Sequence, residues 1–123
     1  MIFIRIRVKG YLKNITENEI FDFDEKSIKN NNKITFSCDG VKTSIKINED
    51  NVVLIREGND FINTFVFDKN NSCCNYFLKE NNYDVDIEIK TINIEIMDNS
   101  ICIKYLVIDS NCEYEYKLEM SDV

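Results

Sequence analysis

Apolar and polar residues alternate along almost the whole chain. Ile2, Ile4, Ile6 and Val8 take one phase while Arg5, Arg7 and Lys9 take the other, the pattern of a strand with one buried and one wet face. Phe21 and Phe23 repeat it. Ile34, Phe36 and Cys38 lead into Asp39 and Gly40, after which Val41, Thr43, Ile45 and Ile47 resume. Asp-Gly between two alternating runs predicts an antiparallel hairpin. The stretch VVLIREGNDFINTFVF, residues 52–67, supplies two strands hinged at Gly58, and Cys73 to Leu78 a shorter one.

Val85, Ile87 and Ile89 are followed by Ile92, Ile94 and Ile96, so the apolar face changes phase at Lys90 and Thr91. Such a slip predicts a β-bulge or a sharp bend. Ile101, Ile103, Tyr105 and Val107 form the next strand. Tyr114, Tyr116, Leu118 and Met120 form the last, with Glu113, Glu115, Lys117 and Glu119 outward. Glu25 to Asn32 reads as a loop because of its Asn run.

No helical period of useful length interrupts this series, and the turns between strands are short. Neighbour-to-neighbour pairing is therefore expected, and the predicted fold is all-β: one antiparallel up-and-down barrel of about eight to ten strands. A chain of 123 residues suits one core, so residues 1–123 are read as one domain. Proline is absent, which removes one device for blunting edge strands; closure into a barrel is another.

Charge and residue types then narrow the function. The net charge is −7, which sets the overall field against a phosphate-binding surface and makes nucleic acid an unexpected partner. No apolar run reaches the length of a membrane-spanning helix. The first residues read as a strand and not as a targeting segment. Five cysteines make an odd number, unlike a secreted disulfide scaffold, so reduced thiols are expected. Cys73 and Cys74 should point to opposite faces of their strand and cannot easily share a metal ion. No metal site or cofactor is expected. Asp22, Asp24 and Glu25 match no calcium-loop spacing. The three glycines are too widely spread for a phosphate loop, and histidine is absent, so the usual general base is missing and catalysis is not expected.

Arg56 is the residue with most chemical promise. Val52, Val53, Leu54 and Ile55 are all apolar, so alternation does not choose its face. Facing inward with Val52 and Leu54, its planar fork would suit a carboxylate or phosphate group. Otherwise it sits at the barrel mouth and bonds an acidic side chain or turn carbonyl of this chain. Tyr105, Tyr114 and Tyr116 carry inward phases, as pocket wall or core filling. Asp84 with Asp86, and Glu113 with Glu115, share the outer phase and read as solvating charges.

The run Thr43, Ile45, Ile47, then Val52, Ile55, Arg56 and Gly58, then Phe65 and Phe67 resembles the middle of the YwiB-like domains. The resemblance continues through Tyr76, a strand ending at Thr91, an Ile-rich strand to Met97, and a hairpin carrying Ile103, Tyr105 and a closing strand to Met120. It covers nearly the whole chain, and its sharpest element is the Arg-x-Gly at 56–58. One departure is the turn at Asn81, Asn82 and Tyr83, where that family tends to carry Tyr-Gly. The resemblance implies a calycin-like, lipocalin-like barrel in a bacterial cytoplasm and carries no assigned activity.

Two functional expectations follow. One is a noncatalytic barrel holding a small, partly apolar anion, with Arg56, Tyr76, Tyr105 and Tyr116 as ligand contacts. The other is a protein-interaction or assembly module with a filled core, as monomer or homodimer.

Overall fold

Strands form wherever the two-residue alternation runs, and they curl into a barrel in this computed structural model, which describes residues 3–123. Ile2 of the predicted first strand lies outside the described residues. The strands are β1 (Ile4–Asn14), β2 (Glu19–Asn30), β3 (Lys33–Cys38), β4 (Val41–Ile47), β5 (Asn51–Glu57) and β6 (Phe61–Asp68). Then come β7 (Cys73–Leu78), β8 (Tyr83–Ile87), β9 (Ile89–Ile96), β10 (Ser100–Val107) and β11 (Cys112–Asp122). The count is 11, above the expected eight to ten. Residues 25–30, expected in a loop, continue β2, because Ser27 faces the core while Lys26 and Ile28 face outward. Only Asn31 and Asn32 remain as the turn.

All the strands belong to one antiparallel sheet ordered β8-β7-β6-β5-β4-β3-β2-β1-β11-β10-β9. Every hairpin pairs sequence neighbours, and β1 pairs β11 from Ile6 with Asp122 to Asn14 with Tyr114. The sheet ends at β8 and β9, which follow each other around Glu88 yet pair opposite neighbours, β7 and β10. One bent strand thus brings the two sheet edges together. The remaining gap is bridged by Ser72 Oγ and Thr91 Oγ1 at 2.6 Å, while Ile108 N–H, donating to the Glu88 carbonyl, carries the β9–β10 ladder on to the bend. The predicted phase slip is real: Lys104 faces Asn93 but Tyr105 faces Thr91, leaving Ile92 as the extra residue of a bulge.

The core follows the inward phases. Val8, Ile34, Ile45, Val52, Phe67, Ile101, Ile103 and Leu118 are all below 2 % exposed, and they plug the lumen as side chains do in small barrels. Gly10 stands on the same inward phase, beside Phe23 and Leu118. A side chain there would strike the Lys117 carbonyl and the Phe23 ring, so the missing Cβ is what lets β1 and β11 approach over that ring. At the β3–β4 hairpin Asp39 and Gly40 have φ of 51° and 79°, the doubly left-handed turn that Asp-Gly favours.

Candidate functional site

The register around β5 decides the orientation of Arg56. Val52 and Leu54 are buried at 0 % and 3 %, so strand alternation points Arg56 into the barrel with them. It lies between Thr43 on β4 and Asn63 on β6. Tyr76 faces Asn63 on the next strand. Thr43, Arg56, Asn63 and Tyr76 therefore form a polar row across four strands of the inner face.

Arg56 lines a cavity walled by Phe23, Phe36, Phe65 and Phe67, with Thr43, Tyr105 and Tyr116 as its other polar lining groups besides Cys38. The cavity volume is about 60 Å³. The walls are held by packed rings: Phe23 stacks 5.3 Å from Phe36 and 5.8 Å from Tyr116, and Phe67 meets Tyr105 at a tilt of 45° and 5.0 Å. Tyr105 in turn stacks on Tyr114 at 5.3 Å, nearer the β10–β11 turn.

No carboxylate lines the cavity. The ion pairs among the described residues join Arg7 to Asp24, Lys79 to Glu57, Lys104 to Glu115 and Lys117 to Glu119. Glu57 follows Arg56 directly but points to the opposite face, where Lys79 takes it. Arg56 makes no hydrogen bond or ion pair among the described residues, so the alternative of an internal acidic or carbonyl partner is not realised. The phenol hydroxyls of Tyr105 and Tyr116 are also unpaired there, whereas Tyr11 donates to Glu115 and Tyr114 accepts from Asn14.

Burial pushes the pKa of Tyr105 and of Tyr116 well above the ordinary tyrosine range, and the positive charge of Arg56 pulls both back. The guanidinium thus acts on both phenols at once. Both remain protonated and present O–H donors to the cavity. Burial likewise raises the pKa of the Cys38 thiol on the cavity wall, which leaves it a poor nucleophile.

Of the four residues read as ligand contacts, three meet at this cavity. Tyr76 does not line it: β6 separates it from Arg56, and its ring stacks instead on Phe61 at 5.6 Å. Thr43 was named only as part of a strand pattern, and Asn63 was not singled out. Their signal is register: the β4–β5 and β5–β6 hairpins set the two residues opposite Arg56 from either side. The predicted opposition of Cys73 and Cys74 is seen, with Cys73 exposed and Cys74 buried and donating to Asn63 Oδ1 at 3.5 Å. On the outer face Asn75 donates to both Asp84 and Asp86, and Asp24 is taken by Arg7.

The family described as "Domain of unknown function (DUF1934)" matches residues 4–121. The chain belongs to this family. Among solved structures, the DUF1934 chain is similar to the ywiB protein from Bacillus subtilis. The TM-score is 0.69 at 17% identity, over 98% of this chain and 92% of that one. That likeness carries the barrel fold. No curated protein matches the chain.

Proposed function

We propose that this barrel is a noncatalytic binding protein for a small, partly apolar anion, held with its acid group on Arg56 and its apolar part against the phenylalanine wall. The observation that supports it most is the unpartnered Arg56, a permanent cation turned into an aromatic lumen with no carboxylate lining it. Arg56 is half-buried, and an anionic ligand would pair a charge that no acidic side chain of the lining takes. Tyr105, Tyr116 and Thr43 add hydroxyl donors around the same space. The cavity volume sets the size of the ligand: a compact acid fits, and a long acyl chain does not without displacing core side chains. Chemistry is not part of the proposal, because the lining offers donors and one thiol of raised pKa but no base.

Native mass spectrometry of protein freshly purified in gentle buffer tests it. The expected result is an added small mass that disappears on denaturation and is absent from Arg56→Ala purified in the same way. A bare 14.5 kDa chain, together with no heat released on titrating a panel of short aliphatic and aromatic carboxylates and phosphates, would overturn the reading.

A further inference from the structure

We infer that the anion held at Arg56 is a planar aromatic monocarboxylate, with its acid group towards the end of the barrel and its ring between two aromatic walls. The inference rests on the binding role proposed above and names the ligand class of that same site.

The charge of the ligand follows from the lining. Arg56 is the one side chain on the cavity wall that is ionised at neutral pH, since the others are apolar side chains, phenols, a threonine and a thiol. A carboxylate brings one negative charge and leaves the site neutral. A phosphate monoester carries nearly two, and the second would stand among rings with no cation to meet it. The chain as a whole, at a net charge of −7, opposes that extra charge too. The guanidinium fork also matches the two oxygens of a carboxylate.

Register sets the orientation. Phe36, Thr43 and Arg56 lie at one level across β3, β4 and β5, and Arg56 stands two residues from the turn at Gly58. Moving away from that turn, Leu54 faces Phe65 and Val52 faces Phe67. The cation is therefore nearest the turn end of the cavity, and the apolar wall extends inward from it.

The rings set the shape. Their contacts divide the lining into two walls: Phe23 stacks with Phe36 and Tyr116, while Phe65, Phe67 and Tyr105 pack on one another. The charge of Arg56 acts on a phenol of each wall, Tyr116 on one and Tyr105 on the other, so the guanidinium serves the space between them. A flat ring offers both its faces to such walls and gains stacking beyond the area it buries. A puckered ring of the same size gains the burial alone.

The test compares three acids by calorimetric titration of the full chain: benzoate, cyclohexanecarboxylate, and phenyl phosphate at about pH 8, where it carries two charges. All arms vary the ligand, so the fold is untouched. Benzoate should bind, and each of the other two should bind roughly tenfold more weakly. Benzoate ring protons should move upfield in the complex, as protons held over aromatic faces do, and Arg56→Ala should lose the benzoate heat. Cyclohexanecarboxylate or phenyl phosphate binding as tightly as benzoate, with Arg56 still required, would overturn this inference and leave the anion-binding reading standing. So would benzoate binding without the upfield shift. No heat from any of the three acids would overturn both.

Discussion

Asn18, Asn31, Asp39, Asn82 and Asn111 hold φ between 49° and 57°, in the left-handed region that favours glycine. The chain has three glycines, and asparagine tolerates this region because its short side chain bonds locally. The Asn runs, which in the sequence look like compositional bias, thus have a conformational role at the turns. At Asn82 the left-handed turn survives without the expected glycine. Asn111→Ala should lose about 1 kcal/mol in urea denaturation while Asn111→Gly stays near the parent. Gly10→Ala should cost about 3 kcal/mol, since the clash is with backbone on one side and a packed ring on the other. Tyr11, whose hydrogen bond to Glu115 pushes its pKa up to about 12 from 10, favours the folded state only while protonated. Its contribution is complete below pH 10 and fades as pH rises towards 12, so chemical denaturation across that range should show falling stability, with a shallower fall in Tyr11→Phe.

At the scale of elements, alternation was enough to locate nearly every strand, because each has a wet face and a dry one. It failed where that contrast fades. Residues 52–55 are apolar in both phases, so the inward turn of Arg56 became legible only from its neighbours' register. Tyr76 has an inward phase, but phase alone does not measure distance around a lumen, and it stands two strands from the cation. The slip after Ile89 is readable as a bulge, whereas the bend at Glu88, which lets a single strand serve both sheet edges, is not. Side-chain contact between Ser72 and Thr91 holds that junction where ladder bonds are absent. Thr91→Val should therefore cost about 1 kcal/mol, and amide exchange should quicken around residues 88–91 more than in the β1–β2 hairpin.

For the whole molecule, the barrel and its single charged lumen site pull in opposite directions. Filling the polar position with an apolar side chain of similar length should stabilise the empty barrel, so Arg56→Met is expected to melt at a higher temperature than the parent while losing the copurified mass. The barrel class was legible from turn spacing, since short turns leave few ways to connect strands. The cavity was not, because the volume left between rings depends on how they stack. One further consequence lies in the pairing of β1 with β11. Nine of the ten ladders join sequence neighbours and can zip locally; this one joins residues about as far apart as the chain allows, such as Ile6 and Asp122. Closing so long a loop is slow relative to forming hairpins. Two meanders, β1 to β8 and β9 to β11, are thus expected to form first, and the rate at which the chain folds is set by how soon its two ends meet.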